Sequence, residues 1–191
     1  MIDKKEFSGM KEEMDAFDVK REETIILSRK IIIVSKQMIY SIQRSDMANA
    51  EKLAAEIKKL VSELPEDNHE INLVKVAKQE YAEAMFCLGY TRDKKLPSKE
   101  ELSISAEEYL LGICDFTGEM VRLAVNSVIN GDTGKALEIR GMVSEIYGEI
   151  LKFDFRNGEL RKKSDTIKWN LNKLEDLALE IKLRGNSSGK D

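Results

Sequence analysis

The sequence predicts an all-α fold, and three observations carry that prediction. Only two prolines, Pro65 and Pro97, stand in 191 residues, so long stretches lack the residue that breaks helices. Aromatics make up 6% of the chain and β-branched residues form no alternating runs, which leaves no strand pattern. The chain is 42% hydrophobic and 35% charged, the balance of a soluble helical protein rather than a disordered one. A chain of 191 residues can bury one sizeable core, so residues 1–185 read as a single domain and 186–191 as a disordered tail.

Six main helices follow in order. The first spans about 4–44 and is unusually long. Asp46 suits the N-cap of the second, which ends before Pro65. "PEDNHE" is a connector, with His69 an exposed loop residue. The third spans about 70–88, with Gly89 as its stop. "YTRDKKLPSKEEL" is a polar linker with room for one short helical turn. Ser105 caps a fourth helix over 106–130, and Gly131 and Asp132 close it and start the fifth, which runs to about Phe155. "RNG" is a turn, and the sixth runs from Glu159 to Arg184 before the tail "GNSSGKD". Ile25, Ile26, Leu27, Ile31, Ile32, Ile33 and Val34 surround most of the first helix, which must therefore be covered on most sides. A homo-oligomer with a large apolar interface provides that cover; a central place in a monomeric bundle is the alternative.

Composition also excludes function classes. The net charge of −4 argues against a polyanion binder over the whole surface, so a nucleic-acid partner needs cations gathered on one face. Two cysteines without a CxxC, Cys87 and Cys114, and a single histidine exclude zinc sites of the Cys/His kind. Reduced core thiols and a cytoplasmic location are expected, since the charged start "MIDKKEFSGMKEEMDAF" is no secretory signal. Arg29, Lys30 and Lys36 interrupt the longest apolar run, so no membrane span is expected.

The stretch "ICDFTGEMVRLAVN" is apolar helix, yet it carries Asp115 and Glu119 one turn apart. At about 100° per residue, Glu108, Asp115, Glu119, Arg122 and Asn126 share one arc, which taken alone reads as a wet face. The third helix differs. Glu80 lies in a stripe with Leu73, Val76, Ala84 and Cys87, and Glu83 lies on its edge. A carboxylate in an apolar stripe is costly unless paired, protonated or bound to a cation. Pairs at i,i+3 and i,i+4 each put two acids on one helix face, so side-by-side helices can bring four together. Such all-oxygen sets suit Mg2+ or Mn2+, and the absence of Glu-x-x-His disfavours a ferritin-like di-iron site.

At these residues the sequence resembles the translin family, and most nearly its translin-associated factor X branch. "REETIILSRKIIIVSKQMIYSIQR", "QEYAEAMFCLGYTRDKKLPSKEEL", "EYLLGICDFTGEMVRLAVNSVINGD" and "ELRKKSDTIKWNLNKLEDLALEIKLRG" match it in order and spacing. The resemblance implies a bundle of six long helices plus one short helix, assembling into a hollow oligomeric barrel, here a homo-octamer, that holds RNA. It also implies a metal-dependent ribonuclease site. The branch's Glu-x-x-Glu and Asp-x-x-x-Glu motifs fall on Glu80 and Glu83 and on Asp115 and Glu119. Translin itself keeps the last of these acids but not the full set, so the chain resembles the catalytic type.

The expected activity is hydrolysis of RNA phosphodiesters by one or two Mg2+ or Mn2+ ions on those four carboxylates. Arg122 either steers phosphate or neutralises the acids. Arg29 and Lys36 share a face of the first helix, and Arg161, Lys162, Lys163 and Lys168 cluster at the start of the last; RNA contact and an ordinary solvated face are the two readings of each set. Tyr81, Phe86 and Tyr90 are either stacking platforms for bases or core. Two other functions fit the pattern. One is a non-catalytic shell that binds RNA or single-stranded DNA. The other is an all-α nucleoside triphosphate pyrophosphohydrolase, although such enzymes usually space their second acid pair by three rather than four residues.

Overall fold

The computed structural model describes residues 2–65, 72–156 and 158–187. Seven helices and no strand occur among them: α1 (Lys4–Gln43), α2 (Met47–Ser62), α3 (Asn72–Asp93), α4 (Lys99–Leu102), α5 (Ala106–Ile129), α6 (Thr133–Ile150) and α7 (Glu159–Ser187). The all-α class and the six-plus-one helix count agree with the sequence reading. His69 and the start expected for the third helix lie outside the described residues. None of the described helices is long and apolar enough to cross a membrane.

Helix starts follow cap chemistry. Asp3, Asp46, Ser98, Ser105 and Asp132 each accept a backbone N–H from the first turn of the helix that follows. Ser98–Glu101 and Ser105–Glu108 are reciprocal capping boxes. Glu108 is therefore buried cap machinery and no part of a wet stripe. Gly131, at φ +83°, turns the chain between α5 and α6.

Two helix ends differ from expectation. Gly89 does not stop α3, which runs on to Asp93. There Lys94 takes a left-handed conformation (φ 57°) and the chain folds back, so that the Lys95 N–H reaches the Gly89 carbonyl at 3.4 Å. Gly89 is required by this return rather than by a stop. A Cβ there would lie 2.5 Å from the Lys95 carbonyl oxygen and 3.2 Å from Pro97 Cδ. Because the obstacle is backbone, Gly89→Ala should destabilise the protein by about 1–3 kcal/mol, read as a lower midpoint in urea unfolding. α6 ends at Ile150, before the expected Phe155: N–H groups of Lys152 and Phe153 bond three residues back, tightening the last turn. α7 continues through Gly185 to Ser187.

The chain divides into two compact units, Met1–Tyr81 and Ala82–Asp191, with the boundary inside α3. In the first, α1 packs on α2 around Ile31, Met38, Ala50, Ile57 and Leu60, all buried. Lys30 reaches Glu56 across this pair at 3.4 Å. In the second, α5, α6 and α7 pack on one another around Leu111, Met120, Ile139, Val143, Ile167 and Leu174. α3 joins α5 through an aromatic cluster: Phe86 meets Tyr109 and Phe116 edge-on, and Phe116 meets Tyr90. Glu138 on α6 ties down the end of α3, accepting from the Tyr90 hydroxyl at 3.1 Å and pairing with Lys94 at 2.9 Å.

Candidate active site

The segment of α3 from Tyr81 to Leu88 is buried on every side, and Glu83 sits inside it at 8% exposure. Such a position is costly for a carboxylate, which makes Glu83 the acid least explained by solvation. Asp115 and Glu119 lie one turn apart on α5, with side chains 27% and 18% exposed. They are half-buried, so the face that reads as wet in isolation is largely covered.

Cations hold these acids. The Lys163 ammonium of α7 donates to both Asp115 oxygens, at 2.9 and 2.7 Å. Arg122 donates to Glu119 at 3.1 Å. In the first unit, Lys36 of α1 lies 3.3 Å from Glu80, one turn before Glu83 on α3. Asn170 donates to Thr117 at 2.9 Å, pinning α7 to α5 beside the Asp115–Lys163 pair. Among the described residues, no three His, Cys, Asp or Glu side chains are gathered closely enough to hold a metal ion as they stand.

Two thiols report on the fields here. Burial above all, then the charges of Glu83 and Glu119, raises the Cys87 thiol well above its ordinary range. One thiol thus feels a carboxylate from α3 and one from α5. Cys114 is pushed up to about 12, mainly by burial and then by Asp115, with Lys163 opposing. Both cysteines are free and buried, as expected for core thiols. Neither should react with iodoacetamide in the folded protein at pH 8, whereas both should react after denaturation, as counted by mass spectrometry.

The basic candidates separate. Lys36, Arg122 and Lys163 hold the acids. Arg29 and Lys162 are exposed. Arg161 and Lys168 line a cleft of about 370 Å³ together with Phe153, Phe155, Ser164 and Trp169. The rings of Phe153 and Phe155 stack at 5.2 Å, and Trp169 is 65% exposed. Sequence reasoning missed these aromatics. Trp169 directly follows Lys168, and a Phe-x-Phe precedes that pair at Phe153 and Phe155; those two short patterns were the available signal. Tyr81, Phe86 and Tyr90, by contrast, are buried core and offer no stacking face.

Residues 19–185 match the translin family. The chain is 28% identical to translin-associated protein X of Rattus norvegicus and 29% identical to that of Mus musculus, each over 94% of this chain and 78% of the relative. Translin of Gallus gallus is 33% identical over 43% of this chain and 36% of its own length. Among solved structures, that of apo-NeC3PO superposes with a TM-score of 0.85 at 29% identity, covering 91% of this chain and 95% of that one. That of AfC3PO in complex with duplex RNA shares the fold, with a TM-score of 0.82 at 22% identity, over 94% and 97% of the two chains. Matched over most of its length and alike in fold, the chain belongs to the translin family.

Proposed function

We propose that the chain is a metal-dependent endoribonuclease that hydrolyses RNA phosphodiester bonds, using Glu83, Asp115 and Glu119 with Glu80 as the fourth acid. The observation that carries this reading is the burial of Glu83 on α3, together with an Asp115 on α5 that already holds a cation through both oxygens. All-oxygen carboxylate donors suit Mg2+ or Mn2+ in their chemistry. Bound there, such an ion supplies an activated water and neutralises charge developing on the phosphate.

The chain's own side chains do the rest. Lys163 fixes the Asp115 carboxylate by donating to both its oxygens, and Asp115 would hold the ion together with Glu83 and Glu119. Arg122 orients Glu119, which takes a proton from the attacking water. Arg161 and Lys168 bind the backbone of the strand while Trp169 and the Phe153–Phe155 stack receive unpaired bases. Arg29 on α1 and Lys162 on α7, both exposed, are further candidates for phosphate contact. Self-association into a hollow barrel, an octamer by resemblance, encloses the RNA, and the protein works in the cytoplasm.

A second reading is a shell that binds RNA or single-stranded DNA without cutting. It is favoured by the fact that Glu80, Asp115 and Glu119 each already hold a lysine or arginine. Incubation of labelled single-stranded RNA with the purified protein, in Mg2+, in Mn2+ and in chelator, separates the two. Cutting in the metal lanes alone is expected. Binding without cutting in every lane would leave the shell, and pyrophosphate release from free nucleotides would point to a pyrophosphohydrolase instead.

A further inference from the structure

Every residue from Ile2 to Glu23 is exposed, although Lys4–Gln43 is one continuous helix. The first 20 residues of α1 thus form an arm about 30 Å long, at 1.5 Å per residue. The arm carries Phe7, Met10, Met14 and Phe17, all exposed, at alternating spacings of three and four. That is the heptad seam of a coiled coil. The same seam passes Arg21, which is exposed, and continues through Thr24, Ser28, Ile31, Ser35, Met38 and Ile42, all of them buried. So one helix presents one seam, covered in its second half and bare in its first. Gly9, with open space around its Cβ position, weakens the arm as an isolated helix.

We infer that the arm docks, antiparallel, on the arm of a second copy of this chain. Charge complementarity favours this occupant and this direction. Flanking the seam are Lys11 and Asp18 on one side and Glu13 and Lys20 on the other. In an antiparallel pair with Met14 opposite Phe17 of the second copy, Lys11 faces Asp18 of that copy, and Glu13 faces its Lys20. Two-fold symmetry repeats both pairs, so each of these charges meets its opposite. A parallel pair would set Glu13 against Asp18 of the second copy, like against like, with only Glu6 against Lys11 in its favour, so the antiparallel pair matches more charges. Met10 packs along the aliphatic stem of Arg21 of the other chain.

The full-length protein tests this by light scattering, which reads mass and is independent of RNA cutting. Because the side chains changed are exposed within the subunit, the variants should fold, as circular dichroism checks. Met14→Glu with Phe17→Glu should lower the mass at least twofold at equal concentration. Lys11→Glu should do the same, and Lys11→Glu with Asp18→Lys should restore the wild-type mass. Under oxidation, Met14→Cys with Phe17→Cys should give a disulfide-linked dimer and Met14→Cys alone should not. A monomeric wild type, an unchanged mass in the Glu variants, failure of the double reversal to restore, or ready crosslinking of Met14→Cys alone would each overturn the proposal.

Discussion

Asp115→Asn should lower the rate of metal-dependent RNA cleavage by roughly 10²–10⁴-fold, the span over which a positioned acid or base contributes. The substitution keeps shape and one oxygen acceptor but removes the charge that Lys163 holds at 2.7 and 2.9 Å. The thermal unfolding midpoint should also drop somewhat, because the pair is only 27–28% exposed and Lys163 loses its charged partner. Glu83→Gln should match it in rate. Glu83 sits deeper, and its loss removes a buried charge as well as a donor. RNA binding in chelator should survive both changes, since Arg161 and Lys168 lie in a separate cleft with Trp169. Single-turnover rates with one labelled RNA, beside a binding isotherm, check these outcomes. An Asp115→Asn protein that cuts as fast as the wild type would remove Asp115 from the chemistry.

Phe86→Ala should cost about 3–5 kcal/mol of stability, the range for truncating a buried aromatic. Phe86 is fully buried and joins α3 to α5 by meeting Tyr109 at 4.8 Å and Phe116 at 6.0 Å, ring centre to ring centre. It also lies one turn after Glu83 on α3, so the cavity left behind would loosen the helix that presents that acid. Urea unfolding should show a lower midpoint with the slope unchanged. Residual cleavage per folded molecule should fall too. Phe86→Leu, which refills much of the volume, should recover most of both.

Much of this was legible in the chain before any coordinates. The scarcity of proline, the caps at Asp46, Ser105 and Asp132, and the Glu80/Glu83 and Asp115/Glu119 spacings are local facts, and local facts survive folding. The cap chemistry placed α2, α5 and α6 nearly to the residue at their starts. What sequence could not supply was non-local. Gly89 resembles a helix stop, and only the returning Lys95 carbonyl reveals that its missing Cβ serves a close approach. Glu108 resembles a member of the acidic arc, and only its bond to the Ser105 N–H at 2.7 Å shows it spent on a cap. Lys163 resembles one of several cations at the start of α7, and only the packing of α7 on α5 brings it to Asp115, 48 residues earlier in the chain. Tyr81 and Tyr90 resemble stacking platforms until their burial is seen. Trp169 becomes a candidate only once its exposure, and the stack of Phe153 on Phe155, are known.

The central claim is that these carboxylates hold a divalent cation for chemistry, with Lys163 and Arg122 as its stand-ins. Electron paramagnetic resonance of Mn2+ titrated into the protein without RNA tests that claim most directly, since free and bound Mn2+ give distinct signals. Saturable binding is expected in the wild type. It should be weakened at least tenfold in Asp115→Asn and in Glu83→Gln, and strengthened in Lys163→Ala, where the competing ammonium is gone. No saturable binding in the wild type, or equal binding in all four proteins, would contradict the account and leave the acids as partners of lysine and arginine alone.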